Sequence, residues 1–339
     1  MADIIEVLLT LPFTDEQMAR LQGVSPRLKF TTLKARKAEE IPAEIWANTE
    51  VLYTNRVLPT LEQAPKLRWV QFHWAGIDHV ASNPLLHQPE VRITNMSGAA
   101  ASQVAEYILM MLLGLGHRLI ELSISQRRGE WPKERWERFT PRELRGATVG
   151  IVGYGSIGRQ TARLLQPFGA TVLATKRDVM HPADTGYTPE GLGDPEGDFV
   201  HRLYPPEALK SMARACDFLV VTAPLTSETR GLVSAEVLAA LKPSAYVIDV
   251  SRGGVIDPEA LLVALRDHRI AGAALDVFPE EPLPENSPLW KLNNVILTPH
   301  ISGTTPVYDQ RAVDLFSENL HRYLAGLTLY NLYDPRAGY

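Results

Sequence analysis

The sequence predicts an α/β fold in two domains, each built on a mainly parallel sheet. Three observations predict it. Apolar runs of strand length alternate with segments of helical spacing along most of the chain. One strand-to-helix junction carries glycines spaced G-x-G-x-x-G, at Gly153, Gly155 and Gly158. The length, 339 residues, exceeds what one core normally organises.

Taken in order, residues 1–98 read as a compact α/β lobe. Met1 to Pro12 is apolar without a basic start, so it reads as a first strand and not a signal peptide. Ile4–Leu9, Leu28–Leu33, Val51–Thr54, Trp69–Phe72 and Val91–Thr94 are β-leaning runs, and Thr14–Leu21 and Ile41–Ala47 between them have helical character. Loops at strand carboxyl ends are where such sheets bind ligands, which singles out Asn55-Arg56 and the run His73 to Asp78. Ala99 to Leu122 reads as one long helix with Ala105, Ile108, Leu109, Leu112 and Leu113 along its apolar stripe. Such a helix is an interdomain core or a dimer contact, and the sequence leaves both open. Gln126 to Arg145 interleaves arginines with Glu130, Glu134, Glu137 and Glu143, the pattern of a solvated surface excursion and not of a nucleic-acid patch.

From 148 the strand–helix rhythm is regular. Strands are expected at 148–152, 171–175, 217–222, 245–250, 271–275 and 294–298, and helices near 157–168, 206–215, 234–241 and 258–267. Ser234 and Asp257 suit N-caps, and Pro258 suits a first helical position. Asp178 to His201 interrupts the rhythm. It is dense in Gly, Pro and Asp, and is expected as a surface loop near the adenosine end of a bound dinucleotide. The last helix, near Pro306 to Ala325, carries Leu315, Phe316, Leu320 and Leu324 on one face and is expected to pack back on the first lobe. The domains so drawn are 1–98 with 301–339, and 99–300.

The glycine junction explains why a dinucleotide is expected. Gly153 allows a tight turn, Gly155 lets the backbone approach a pyrophosphate, Gly158 lets helix and strand pack closely, and the pyrophosphate rests on the helix N-terminus beside Ser156 and Ile157. An acid at the end of the next strand would bond the ribose and repel a 2′-phosphate. This chain has Lys176 and Arg177 there, which favours NADPH while leaving NADH possible.

Composition bounds the rest. Hydrophobic residues make up 45% and charged residues 22%, ordinary for a globular protein, and the net charge of −5 points away from nucleic acid and anionic membrane. One cysteine, Cys216, cannot form an internal disulfide and suits a reducing cytoplasm. The longest apolar run, Tyr107 to Gly116, is too short to span a bilayer. His73, His79 and His87 lack metal-ligand spacing, so no metal is expected.

Three stretches just past expected strands carry candidate chemistry: Val250-Ser251-Arg252-Gly253-Gly254, Asp276 to Pro282, and Thr298 to Gly303. An arginine fork suits a carboxylate and a neighbouring carbonyl oxygen, and an imidazole suits proton transfer near neutrality. With Gly-Tyr-Gly-Ser-Ile-Gly, Pro224-Leu225-Thr226 and Thr229, Ser251-Arg252-Gly253-Gly254, Asp276-Val277-Phe278 with Glu281-Pro282, Pro299-His300, Trp74-Ala75-Gly76-Ile77-Asp78 and Val104-Ala105-Glu106 in order, the chain resembles the D-isomer-specific 2-hydroxyacid dehydrogenases over nearly its whole length.

The resemblance implies a Rossmann-type nucleotide domain with a flavodoxin-like substrate domain, and hydride transfer between NAD(P)H and a small 2-oxoacid. It implies that His300 is the acid and base, that Glu281 bonds it and favours its charged form, and that Arg252 binds the substrate carboxylate and carbonyl. It implies that Trp74, Ala75 and Gly76 meet the substrate, the amides of the last two holding a carboxylate oxygen, and that Asp276 meets the nicotinamide carboxamide. Thr222, Pro224, Thr229, Val250, Ser251, Arg252, His300 and Gly303 would also border the cofactor. A homodimer follows from the same resemblance. Lys176 departs from the acid of NAD-preferring members, and Thr222 stands where many have His or Cys. The 178–201 segment has no counterpart, and the absence of lysine from Trp74–Gly76 argues against phosphite-oxidising relatives. The leading expectation is an NADPH-dependent glyoxylate or hydroxypyruvate reductase. The rivals are a dinucleotide-sensing corepressor-like protein and a D-3-phosphoglycerate dehydrogenase, the latter lacking an assignable phosphate pocket and the family's C-terminal regulatory domain.

Overall fold

The computed structural model describes every residue except Met1, Ala2, Arg336, Ala337 and Tyr339, so the ends of the expected first strand and last segment lie outside the described residues. The chain divides into two compact units, Met1–Ala99 with Thr185–Tyr187 and Thr305–Tyr339, and Ala100–Asp184 with Thr188–Thr304. Against the expected boundaries, Ala99 goes with the first unit, 301–304 with the second, and three residues of the 178–201 segment with the first.

The smaller unit holds β1 (Ile5–Leu9), β2 (Leu28–Thr32), β3 (Val51–Thr54), β4 (Trp69–Phe72) and β5 (Arg92–Thr94), in the order β2-β1-β3-β4-β5. Every pairing is parallel, which gives the 2-1-3-4-5 order of flavodoxin-like sheets. The middle strands β3 and β4 are buried at every residue, as apolar runs covered on both faces must be. Helix α1 (Asp15–Gln22) starts on a capping box, in which the Thr14 hydroxyl accepts from the Gln17 amide and the Gln17 side chain accepts from the Thr14 amide. A short α2 (Ala43–Trp46) precedes β3.

The larger unit begins with α3 (Ala101–Gly116), α4 (Leu119–Arg128) and α5 (Arg135–Arg138). The single helix expected over 99–122 is therefore two, bent by 62°. A Cβ at Gly116 would stand 2.8 Å from the Arg142 carbonyl, whose residue in turn donates its amide to Gly116. That close backbone approach ends α3, and Arg118 then turns through a left-handed φ of 58° before α4 resumes. No single helix among the described residues is long and apolar enough to cross a membrane.

The seven-stranded sheet follows: β6 (Thr148–Val152), β7 (Thr171–Thr175), β8 (Arg202–Tyr204), β9 (Phe218–Val221), β10 (Tyr246–Asp249), β11 (Gly272–Leu275) and β12 (Val295–Leu297). Its order, β12-β11-β10-β9-β6-β7-β8, with all pairs parallel, is the doubly wound Rossmann arrangement. The order reverses between β6 and β9, so the crevice outside their carboxyl ends is where a dinucleotide belongs. Strand β8, three residues at the sheet edge, was not expected, since Arg202-Leu203-Tyr204 is too short to show a pattern. Helices α6 (Ser156–Leu165), α7 (Leu209–Ala213), α8 (Ala235–Ala240) and α9 (Pro258–Arg266) connect the strands. Asp257 caps α9 by accepting from the Ala260 amide, with Pro258 opening the helix. Ser234 occupies the N-cap of α8 without a side-chain cap bond.

The chain returns to the smaller unit in α10 (Tyr308–Leu324). Its Phe316 packs on Tyr53 and Trp69, and Asn319 donates to Gln71, whose carbonyl oxygen also accepts from the Thr94 hydroxyl. A buried amide pair of this kind needs every partner it has, which fixes α10 on β4 and β5.

Candidate active site

The fingerprint turn is built tightly. Gly153 has φ +99°, and a Cβ there would meet the Ala223 backbone at 2.8 Å, while a Cβ at Gly158 would meet the Gly153 carbonyl at 2.6 Å. Neither position accepts a side chain. Gly155 faces open space, and no side chain caps the N-terminus of α6. An open approach to uncapped backbone donors fits a pyrophosphate. The turn is held from both neighbouring strands: the Gly153 amide donates to the Thr175 hydroxyl at 3.0 Å, and the Thr222 hydroxyl donates to the Gly153 carbonyl at 2.7 Å. Ile157 is half-buried on α6, and the Thr229 hydroxyl donates to the Pro224 carbonyl at 2.5 Å, closing the turn after Thr222.

Lys176 is the first residue after β7. Its ammonium donates to the carbonyls of His181 and Ala183. Burial, and then the nearby Arg159 charge, pull it below the usual lysine range. Arg177 is exposed and stands 3.9 Å from Glu228.

Beyond the nucleotide turn, β10, β11 and β12 lie side by side, and each ends in one of the three candidate stretches. Past β10, the Arg252 guanidinium donates to the Ser251 carbonyl at 2.8 Å. A Cβ at Gly253 would lie 2.0 Å from the Phe278 carbonyl group, so the arginine loop rests directly on the backbone that leads to Glu281. Past β11, Glu281 accepts the Phe278 amide on Oε1 and faces His300 Nδ1 with Oε2 at 2.7 Å. An ionised carboxylate only accepts, so Nδ1 carries the hydrogen and Nε2 is left as the nitrogen that exchanges a proton. Past β12, His300 takes a left-handed φ of 52° and its amide donates to the Asp276 carbonyl at 2.9 Å. Its side chain is 43% exposed, enough to meet a ligand. Gly303 is half-buried, in ordinary contact with Ala100 and Val104. No group of three His, Cys, Asp or Glu able to hold a metal occurs among the described residues.

In the smaller unit, Trp74, Ala75 and Gly76 follow β4, with the Trp74 indole 46% exposed. The indole leans on Tyr308, ring centres 5.1 Å apart, and His73 stands edge-on to both rings. The Tyr308 hydroxyl donates to the His73 carbonyl at 2.8 Å, so the loop has an aromatic floor. Arg56 is exposed after β3.

Residues 109–302 match the family described as D-isomer specific 2-hydroxyacid dehydrogenase, NAD binding domain. The chain belongs to that family. A glyoxylate reductase from Thermofilum pendens is 35% identical over 268 residues, which is 78% of this chain and 74% of that protein. Among solved structures, a D-isomer specific 2-hydroxyacid dehydrogenase from Xanthobacter autotrophicus, in complex with NADPH and MES, has a TM-score of 0.79 at 30% identity and covers 100% of both chains. An NADPH-dependent glyoxylate/hydroxypyruvate reductase from Sinorhizobium meliloti, in complex with NADP and sulfate, has a TM-score of 0.76 at 26% identity, covering 99% of this chain and 100% of that one. The protein is thus an oxidoreductase that interconverts 2-oxoacids and 2-hydroxyacids with a nicotinamide dinucleotide.

In this dehydrogenase Asp276, the residue expected at the nicotinamide carboxamide, holds the His300 loop. It is 0% exposed; Oδ1 accepts the Thr298 hydroxyl at 2.6 Å and the Ile301 amide at 2.9 Å, and Oδ2 accepts the Ser302 amide at 2.9 Å. With its oxygens enclosed, it clamps the His300 loop from beneath. Tyr107 on α3 extends the clamp through a 2.6 Å hydroxyl contact with Thr298, and burial pushes its phenol up to about 12. Val250 and Ser251 are likewise buried and shape their loop from below.

Asp249 was not among the candidate residues; its Oδ1 accepts both the amide and the hydroxyl of Ser251, at 3.0 and 2.5 Å. Burial pushes its carboxyl up to about 7, against the pull of those two bonds and with the charge of Asp276 adding to the rise. The signal was present: an acid closes the apolar run Tyr246-Val247-Ile248-Asp249, just as Asp276 closes its own. The unfolded chain releases this proton near pH ~4, the folded one near 7, so the folded state loses stability as pH rises between about 4 and about 7. Asp249→Asn should flatten that part of the profile, read as melting temperature against pH; an unchanged slope would remove the assignment.

Proposed function

We propose that this dehydrogenase reduces a small 2-oxoacid such as glyoxylate or hydroxypyruvate, using NADPH in preference to NADH. The observation that carries the reading is the His300–Glu281 pair at 2.7 Å, formed between the stretches that follow β12 and β11, with Arg252 following the next strand, β10.

Each residue then has one task. His300 Nε2 gives its proton to the carbonyl oxygen as the 2-oxoacid is reduced, and takes it back in the reverse direction. Glu281 holds the imidazole at Nδ1 and offsets the charge it carries while protonated. Arg252 binds the substrate carboxylate and draws electron density from the neighbouring carbonyl. A substrate-contacting role falls to the Trp74-Ala75-Gly76 loop, whose exposed indole and small residues stand at a strand carboxyl end. The fingerprint residues Gly153, Gly155, Ser156, Ile157 and Gly158 would hold the dinucleotide, with Thr222, Pro224 and Thr229 bordering it, and its nicotinamide supplies the hydride.

Two cations after β7 favour a 2′-phosphate, and the two solved relatives above were obtained with NADPH or NADP. A charge-assisted bond to that phosphate is worth a factor of about 10 to 100 in affinity. Replacing Lys176 with Asp and Arg177 with Ala should therefore raise KM for NADPH by about 10- to 100-fold in glyoxylate reduction and leave KM for NADH nearly unchanged. Equal losses with both cofactors would count against the preference.

A homodimer is part of the same reading. Met110, Leu119, Leu122, Trp131 and Trp136 are exposed in the larger unit, an apolar set that a second copy would cover. The lone thiol, Cys216, is buried, consistent with a cytoplasmic location.

A further inference from the structure

The segment after Arg177 was expected to be a surface loop. It is such a loop, and it is fastened to the dinucleotide helix through Arg159, which was not among the candidate residues. Arg159 is 1% exposed and follows Gly158 on α6. Its guanidinium donates to the carbonyls of Pro182 and Asp194, both at 2.5 Å, and Nε faces the Asp184 carboxylate at 3.4 Å. It also lies over the Tyr154 ring, 4.8 Å from its centre, inside the fingerprint turn. Asp194 completes the fastening, accepting the Tyr154 hydroxyl at 2.5 Å and the amides of Asp198 and Phe199.

The carbonyls of 181, 182 and 183 alternate between two cations. Those of His181 and Ala183 accept from Lys176, and that of Pro182 accepts from Arg159. A buried guanidinium needs its partners, so while Arg159 is covered by this stretch of chain it holds the stretch by the carbonyls of Pro182 and Asp194. The carbonyls on either side of Pro182 are thereby held in place, and they hold the Lys176 ammonium by two of its three donors. The third donor is available to a further acceptor.

We propose that Arg159 is a positioning residue for cofactor choice: through the 181–184 peptide it seats Lys176 to receive the cofactor's 2′-phosphate. The proposal rests on the NADPH reading and names the part of the chain that executes it. A flexible lysine at a strand end loses side-chain entropy on binding a phosphate; one already held by two carbonyls has lost most of that freedom beforehand. Preorganisation of this kind acts on NADPH and is indifferent to NADH, which has no group at that position.

The test is a cycle of four proteins, wild type, Arg159→Met, Lys176→Ala and the double variant, titrated with NADPH and with NADH by quenching of intrinsic fluorescence. Arg159→Met should lower the NADPH-over-NADH affinity ratio about tenfold in the wild-type background and by less than about twofold when Lys176 is already alanine. Asp184→Asn, which leaves the guanidinium its two carbonyls, should lower the ratio in the same direction and serves if Arg159→Met does not fold. Equal weakening of both cofactors, or the same drop with and without Lys176, overturns the positioning role. A ratio unchanged in both anchor variants, with the wild type discriminating, overturns it too and leaves the NADPH reading standing. A wild type that binds both cofactors alike overturns the NADPH reading itself.

Discussion

His300→Ala is expected to lower kcat for 2-oxoacid reduction by about a thousandfold while NADPH affinity changes by no more than about twofold. The split follows from where the imidazole stands. Nδ1 is occupied by Glu281 at 2.7 Å, the side chain is 43% exposed, and only Nε2 is left to exchange a proton. Removing it takes away the proton donor, and water must then protonate a carbonyl oxygen without a positioned acid. The loop itself is secured by Asp276, which accepts from Thr298, Ile301 and Ser302 by groups the substitution leaves intact. The cofactor site should therefore survive. Steady-state kinetics beside a fluorescence titration read the two quantities separately; parallel losses in kcat and in NADPH affinity would mean a collapsed loop and not a lost acid.

Gly253→Ala is expected to reduce kcat/KM by at least about a hundredfold, although the residue carries no functional group. A Cβ at Gly253 would stand 2.0 Å from both the carbon and the oxygen of the Phe278 carbonyl, and 2.3 Å from the Pro279 nitrogen. Those are backbone atoms, so no rotamer change relieves the overlap, and one loop must shift by an ångström or more. The two loops that part are the one bearing Arg252 and the one that leads to Glu281. Misplacement on that scale costs orders of magnitude in a reaction that depends on alignment. Kinetics with thermal unfolding check it: a folded variant with activity near wild type would show that this loop contact does not organise the site.

Much of this was legible in the sequence because the chemistry sits where the alternation of strand and helix says it should. Arg252, Glu281 and His300 follow apolar runs, and parallel pairing brings the carboxyl ends of β10, β11 and β12 into one row. The glycines were legible for the same reason, since their spacing states a steric need that the turn displays. What stayed hidden were interactions between distant segments. Arg159 looks like one more cation on an amphipathic helix until the 178–201 segment folds over it, and nothing local foretells that Pro182 and Asp194 supply its acceptors. The bonds of Asp276 were hidden for the same reason, since the amides it accepts, those of Ile301 and Ser302, lie 25 and 26 residues further on. The break in the helix after Gly116 likewise depends on Arg142, which reaches it only through the fold.

The most direct measurement is reduction of hydroxypyruvate, pyruvate and a bulkier 2-oxoacid with NADPH, followed by resolution of the product enantiomers. The expected result is NADPH oxidation with at least one of them, slowed about a thousandfold in His300→Ala, and a product of the D configuration. Tight NADPH binding without turnover across the panel, or an L product, would contradict it.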